Sequence, residues 1–445
     1  MKSKLLEDFL NEEVKAYSLS VIRDRSIPQI NDGFKPIQRK LIFTAHKVAK
    51  QNMITSALVG HVSATGNYQK GDGSVGPAIN NMVQNHCGAN NISWLSGAGN
   101  FGSRLVPNGA AQPRYTKTKI NNNFELFFTD TELLEYELQD EKIYEPKHYL
   151  PIIPTILLNP IKGIAVGFAC QYHPYNLKDI IKNVKRVLAN KKQAKMVPYY
   201  NGYSGNVVEE DGKLVMYGIV EKVNSTTVRI SEIPVGISRE DYRSILSDPE
   251  SATGGMVEKG LIVDYDDFCK DGKFTFEIKM QRADLAKHTP ESLVNFFKLK
   301  RNLNENLNAI DIDDNLLQFD SVNDIIEYFV EHRLTVLTKR KAAAIERLTK
   351  ELEWQESKHE FILNFLEGGM DFSVFTSKDA MRKRFDFYGE HLEKLLLLPM
   401  HSMNDETIED IEKKQFQLDE ERTYYEETSE QDLYTADLEL LKSYK

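Results

Sequence analysis

Cysteine is scarce in this chain of 445 residues, and its three copies, Cys87, Cys170 and Cys269, lie far apart. Their spacing excludes a disulfide framework and a Cys-x-x-Cys metal clamp, and suits thiols buried in a reducing interior. Long apolar runs are also missing. The run from Leu395 to Met400 is short and flanked by charge, well below the length that crosses a bilayer, so no membrane partner is expected. The start, MKSKLLEDFLNEEVK, lacks the apolar region and cleavage site of a secretion signal and is expected to be a helix of a cytoplasmic protein. No Gly-x-x-x-x-Gly-Lys-Ser/Thr loop or dinucleotide fingerprint occurs, which argues against a nucleotide site of the common kinds on this chain.

Net charge of −10 disfavours a nucleic-acid partner at first sight, but the charge is unevenly spread. Residues 1–120 hold fifteen Lys/Arg against seven Asp/Glu, whereas residues 401–445 hold five against fourteen. One end is therefore suited to phosphate and the other is not.

The pattern changes several times along the chain. After the break at Asp32-Gly33-Phe34-Lys35-Pro36, residues Ile37, Leu41, Ile42, Ala45 and Val48 fall on one side of a helix that starts near the proline. Lys35, Gln38, Arg39 and Lys40 place a basic edge beside that stripe. Residues 60–110 are rich in Gly, Asn and Ser, and predict loops and turns in place of long elements. From about 150 to 320 the pattern is α+β: short strands through GNVVEEDGKLVMYGIVEKVNSTTVRISEIP and KFTFEIKM, helices at Ser238–Leu246 and Pro290–Leu299. Ser321 to Glu367 contains no Pro or Gly, and Ile345, Leu348, Leu352, Ile362 and Leu366 recur at steps of three and four once the polar positions Gln355 and His359 are included. Ile408, Ile411, Gln415, Leu418, Arg422 and Tyr425 suggest an antiparallel return helix. Between them, residues 368–403 carry Phe372, Phe375, Phe385, Phe387 and LEKLLLLPM, enough for an apolar knob whose natural partner is its own copy.

The segment carrying chemistry is Ala111-Gln112-Pro113-Arg114-Tyr115-Thr116-Lys117-Thr118-Lys119, preceded by Gly99-Asn100-Phe101-Gly102-Ser103-Arg104. A tyrosine oxygen can attack phosphorus, although a free phenol ionises only at pH ~10. Neighbouring cations favour the anion and neutralise charge on phosphate oxygens. Arg114, Lys117 and Lys119 supply them.

Four blocks in order and spacing resemble the breakage-reunion subunit of type IIA DNA topoisomerases, the group of gyrase and topoisomerase IV A subunits, most nearly the short form found in T4-like bacteriophages. They are Tyr17 to Pro28 with Asp32 to Lys40; Gly97 to Ser103 with Pro113-Arg114-Tyr115; Tyr149 to Asn159 with Gly163 to Gly167; and Ile230 to Pro234 with Phe329 to Arg333. The resemblance implies Tyr115 as nucleophile with Arg114 steadying the scissile phosphate. It implies Lys35, Arg39, Lys40, Lys70 and Lys117 on the DNA backbone, and Ile164 as a wedge between base pairs. It further implies a multidomain α+β fold. Residues 1–150 would form a helical, winged-helix-type cleavage domain and 151–320 a mixed α/β tower. Residues 321–445 would form a coiled-coil arm with a dimerisation tip near 368–403.

The implied reaction is a transient double-strand break in DNA by transesterification, made by paired tyrosines of a homodimer. Mg²⁺ and ATP would both be held by a separate ATPase subunit. Residues 17–333 carry the matching blocks, and relaxation or decatenation is expected over negative supercoiling, in the host cytoplasm if the chain is viral. One departure stands out. Where many members carry Tyr-His-x-His-Gly, this chain has Asn67-Tyr68-Gln69-Lys70-Gly71-Asp72, and Lys70 cannot repeat imidazole proton transfer near neutral pH. A nicking or recombinase-like tyrosine enzyme and a non-catalytic DNA-binding structural dimer remain the competing readings. The first lacks the His/Arg-rich surroundings such a tyrosine needs; the second must explain an intact Pro-Arg-Tyr.

Overall fold

The computed structural model describes residues 10–65, 72–139, 142–250, 254–368 and 377–444. The chain divides into two compact units, Met1–His332 with Leu438–Lys445, and Arg333–Asp437.

In the first unit, the Pro36–Val48 helix begins on its proline, where the missing N–H would be unpaired anyway. The Lys35 N–H donates to Gln38 Oε1 at 2.9 Å, closing the first turn. Leu41, Ile42 and Ala45 are fully buried as the spacing predicted, while Val48, at the last position, is exposed. That helix packs over an aromatic core. Phe34 contacts Trp94, Phe128 and Tyr149, and Phe124 stacks on Phe128 at 4.5 Å between ring centroids. Such pairs add about 0.5–1.5 kcal/mol each beyond area burial.

The glycine-rich region differs from the expectation of loops alone, because Thr55–Thr65 and Val75–Val83 are helices. Val75, Gly76, Ile79, Met82 and Val83 bury one face of the second, so tertiary burial outweighs the poor helix propensity of its Gly and Asn residues. A small antiparallel sheet follows, in which Lys117–Ile120 lies between Met53–Ile54 and Leu95–Ala98.

The mixed region of the same unit contains the predicted strands and helices. Ile219–Lys222, Thr227–Glu232, Phe276–Lys279 and Asp264–Asp267 form a four-stranded antiparallel sheet in that order. Val228, Ile230, Phe276 and Ile278 turn inward onto Tyr242 and Leu246 of the Arg239–Ser247 helix. Ser238 caps this helix by accepting from the Asp241 N–H at 3.1 Å, and Asp241 accepts back from the Ser238 N–H at 2.9 Å. Lys213–Tyr217 pairs with both Asn206–Glu210 and Lys300–Leu303 in a second sheet.

The second unit holds most of the Val322–Leu366 helix and all of Asp405–Glu427. Leu348 and Leu352 pack on Leu418 with Tyr425 beside them. The ion pairs Arg347–Glu421 and Lys414–Glu351, with His359 lying 3.4 Å from Glu412, match rising numbers on one helix with falling numbers on the other, so the helices run antiparallel. Near the unit's ends, Asp437 accepts from buried Arg333 at 2.9 Å and from Arg340 at 2.8 and 3.0 Å. A separate apolar cluster gathers Phe361, Phe385, Tyr388, Leu392 and Leu395. Phe372 and Phe375 lie outside the described residues.

Candidate active site

Tyr115 ends a single helical turn, Pro113–Tyr115, and its side chain is 68% exposed. A 3.6-residue repeat cannot start here, because the chain must enter the strand Lys117–Ile120 two residues later. The turn delivers the phenol outward with Arg114 exposed beside it, while Thr116 points in. Arg114 lies over the Tyr115 ring, with its guanidinium carbon 4.8 Å from the centroid.

The support beneath Tyr115 is polar and buried. Thr116 Oγ1 donates to Thr55 Oγ1 at 2.8 Å, Thr55 and Thr118 hydroxyls are also 2.8 Å apart, and the Thr55 N–H donates to the Thr116 carbonyl at 2.9 Å. Three hydroxyls thus tie the tyrosine's strand to the start of the Thr55–Thr65 helix. Because each is buried, each must keep a partner or lose its solvation uncompensated.

The lead-in loop is clasped from the other side. Gln84, just past the Val75–Val83 helix, donates its amide to the carbonyls of Phe101 at 2.6 Å and Pro107 at 3.0 Å. Gly102 has φ +95°, and a Cβ there would sit 2.4 Å from the Pro107 oxygen, so only glycine fits. Arg104, 5% exposed, leaves this loop to donate to the Ile233 carbonyl at 2.9 Å, beside Glu232 at 3.5 Å. Next to the Tyr115 turn lies a cavity of about 560 Å³, lined in part by Ser56, Asn80, Gln112, Pro113 and Arg114.

A second projection carries Ile164, 74% exposed, at the end of the hairpin Ile161–Ile164 and Ala169–Tyr172. Val166 and Phe168 at its tip are exposed as well. This apolar tip stands on a polar anchor. Ser26 Oγ donates to the Ile164 carbonyl at 2.9 Å, and Lys35 Nζ donates to the Lys162 carbonyl at 2.7 Å. Gly163 passes so close to the Ser26 carbonyl that a Cβ would lie 2.0 Å from its oxygen.

The basic residues named from sequence divide by placement. Lys117 is exposed beside Tyr115, and Lys35 sits at the hairpin, where burial holds its ammonium below the ordinary lysine range. Arg39 does not fit the expectation of a phosphate contact. Its guanidinium is 7% exposed and bidentate to Asp32 at 2.9 and 3.2 Å. Burial works against its charge, but the Asp32 carboxylate more than offsets this and raises the guanidinium's affinity for its proton. The reason is helical phase: Arg39 precedes buried Ile42 by three and faces inward with it. Lys40 also differs, being mostly covered and paired with Glu145 at 2.6 Å. Lys70 lies outside the described residues.

Asp32 is the hub that sequence reasoning missed. Besides Arg39 it accepts from the Phe34 and Tyr149 N–H groups at 2.9 Å each, and its carbonyl accepts from Thr155 Oγ1 at 2.8 Å. Its place in the Asp32-Gly33-Phe34 break was the available signal; the distant Tyr149 and Thr155 gave none. Among the described residues, no group of three or more His, Cys, Asp or Glu could hold a metal ion, and no helix is long and apolar enough to cross a membrane.

The family model for the DNA gyrase/topoisomerase IV A-type subunit matches residues 25–439. The chain belongs to that family. The DNA topoisomerase medium subunit of enterobacteria phage T4 is 30% identical across 99% of this chain and 100% of its own length. DNA topoisomerase 2 of Plasmodium falciparum is 35% identical over 86% of this chain, which spans only 28% of that longer relative. The solved DNA-binding, cleavage and re-ligation domain of Plasmodium falciparum topoisomerase II superposes with a TM-score of 0.87 at 28% identity, covering 98% of this chain and 64% of that one. This family member therefore has the mixed α/β, multidomain fold of a type IIA breakage-reunion region and is an enzyme component of that class.

Proposed function

We propose that this chain makes a transient double-strand break in DNA, with Tyr115 of each of two copies as the nucleophile. The observation that carries the reading is an exposed phenol held beneath a guanidinium on a buried polar support. Tyr115 Oη attacks the scissile phosphorus, the bond from phosphorus to the 3′ oxygen breaks, and a 5′-phosphotyrosine forms. The phenol gives up its proton and the departing 3′ oxygen takes one up. One phosphodiester replaces another, so reversal reseals the strand without an energy source. Arg114 neutralises charge on the phosphate, and Lys117 and Lys35 hold the backbone through salt-sensitive contacts. Ile164, with Val166 and Phe168 behind it, enters the base stack and bends the duplex.

Within this reading, residues 1–150 act as the winged-helix-type cleavage domain, 151–320 as the tower and 321–445 as the arm. Dimerisation at the arm's tip is supported by Phe387, Leu397 and Met400, which are 65%, 81% and 80% exposed beside the apolar cluster there. A separate subunit supplies Mg²⁺ and ATP hydrolysis for strand passage. Among the described residues, no group of His, Cys, Asp and Glu fits a metal site of this chain's own. Relaxation or decatenation is the expected outcome.

The test is Tyr115→Phe in the assembled enzyme with its ATPase subunit, Mg²⁺ and duplex DNA, quenched with denaturant. The covalent adduct should vanish while the fold and most DNA affinity persist. An adduct at an undiminished level would remove Tyr115 from the nucleophile's role.

A further inference from the structure

A large cleft on the first unit is lined by none of the residues placed in the reaction above. It encloses about 770 Å³ between the Leu177–Leu188 helix, residues 191–201 and the returning end of the chain at Leu441–Tyr444. The size falls in the range of built ligand sites, about 300–1,000 Å³. Its floor is apolar, with Ile92, Leu158, Leu177, Ile181 and Leu441. Its rim is cationic: Lys178, Lys182, Lys185, Arg186, Lys191 and Lys442 all line it, and among the described residues no Asp or Glu does.

The helix has the phase for this. Lys178, Lys182 and Lys185 follow one another at steps of four and three, while Ile180, Ile181 and Val184 are buried. Two rim cations are already engaged, since Lys185 and Lys442 both pair with Glu439. Arg186 donates to the Lys192 carbonyl at 2.6 Å, a neutral partner. Lys178, Lys182 and Lys191 are exposed. A surface that merely stays in water has no cause to line an apolar hollow with one sign of charge.

We infer that this cleft docks an acidic peptide segment of a partner protein, one that alternates apolar and carboxylate side chains. From Lys178 to Arg186 the helix advances about 12 Å, so the charges are spread along a line and not focused on one phosphate. An extended peptide rises about 3.3 Å per residue and presents alternate side chains to opposite sides. Four such residues span the row, their apolar members on the floor and their carboxylates at the lysines. A DNA duplex could meet the lysines through its phosphates, but it has no projecting apolar side chain to fill the floor. The Glu439 contacts are the internal precedent, because a carboxylate already sits between two of the rim lysines.

The experiment uses the full chain and fluorescence anisotropy with a labelled (Glu-Leu)₄ peptide, compared with (Glu-Gly)₄, (Lys-Leu)₄ and a single-stranded thymidine octamer. We expect (Glu-Leu)₄ to bind at least about tenfold more tightly than each of the others, because both rim and floor are used. Lys178→Glu with Lys182→Glu should weaken it by at least about tenfold, while circular dichroism and thermal melting stay as in the parent. Equal binding of (Glu-Gly)₄, tighter binding of the octamer, or unchanged affinity in the charge-reversed variant would each overturn the inference. Tyr115→Phe should leave peptide binding intact, so failure here is separable from failure of the cleavage reading. Retention of (Glu-Leu)₄ by Tyr115→Phe together with its loss in the lysine variant is the supporting pattern.

Discussion

Tyr115 and Asp437 are opposite solutions to holding a charged or polar group in place. Around Tyr115 the reactive side chain is exposed, and what is buried is a trio of neutral hydroxyls, Thr55, Thr116 and Thr118. In the arm, the charges themselves are buried: Arg333 is 1% exposed and shares Asp437 with Arg340. Neutral hydroxyls cost little to bury once paired and leave the outward group free to meet a ligand. A buried carboxylate between two guanidiniums fixes one arrangement, and either side is left stranded if the other is removed. The difference separates a segment built to present chemistry from one built to keep its pairing.

The sharpest break of that contrast is Asp437→Ala. It takes from buried Arg333 the carboxylate that it shares with Arg340 and should destabilise the arm by about 3–5 kcal/mol. Replacing all three together, Arg333→Met, Arg340→Met and Asp437→Leu, should cost much less, because no buried charge is then left without its counter-charge. Urea unfolding of the three proteins measures this; equal losses for both variants would mean the ion cluster is not the source of the arm's order.

Thr55→Val comes next. It removes the hydroxyl shared by Thr116 and Thr118, leaving Thr118 to find a new partner and Thr116 with the long bond to the Pro113 carbonyl at 3.4 Å, a loss of about 1–3 kcal/mol. The expected signature is unequal: DNA cleavage by the assembled enzyme should fall several-fold more than melting temperature would explain, since the strand under Tyr115 loosens first. Cleavage that falls only in proportion to stability would show that the hydroxyl trio is plain packing.

These contrasts also mark what was legible from the amino-acid order. The start of the helix at Pro36, the strand run after Asn206 and the paired helices of the arm rest on local patterns, and the structure contains them. Pro113-Arg114-Tyr115 is singled out by its resemblance to the family's segment, and only the closeness of Arg114 to the Tyr115 ring follows from adjacency in sequence. The basic edge after Lys35 was not legible. Arg39 and Lys40 look alike as charges, but one faces Asp32 and the other Glu145, which is more than a hundred residues away. The Val75–Val83 helix was hidden because glycine and asparagine weaken the local signal, and burial against the rest of the unit decides it. Thr55 lies more than sixty residues from Thr116, so no pattern could join them.

A smaller effect is set by pH at His173. Its Nε2 lies 3.0 Å from the Asn304 carbonyl, which can only accept, so Nδ1 is left to accept from the Tyr200 hydroxyl at 2.7 Å. Burial first, and the nearby Arg301, hold this imidazole below its ordinary value of 6.5, although the Asn304 carbonyl pulls the other way. The folded protein therefore binds this proton less readily than the unfolded chain does. Stability from His173 is complete above pH 6.5 and drains away as pH falls towards the lower folded value. His173→Gln should cost about 1 kcal/mol at neutral pH. The melting-temperature gap to the parent should narrow between pH 7.5 and 5.5, on the order of the range over which a free imidazole titrates. A constant gap would refute the neutral, doubly bonded ring.

The least stability should be lost at Ile164, and for that reason it discriminates best. At 74% exposure its side chain contributes little to the core, so Ile164→Ala should change unfolding free energy by no more than about 0.5 kcal/mol. Its anchor behaves differently. Ser26→Ala removes the hydroxyl that holds the Ile164 carbonyl and releases the hairpin while leaving the apolar tip in place. If the hairpin acts as a wedge, Ile164→Ala should abolish most of the bend in the bound duplex, measured by end-to-end energy transfer on a labelled fragment. Ser26→Ala should weaken the bend only partly. Equal bending by Ile164→Ala and the parent would exclude the wedge. A larger defect in Ser26→Ala than in Ile164→Ala would place the work in the hairpin's backbone position, which is the property that the Tyr115 strand and this hairpin would then share.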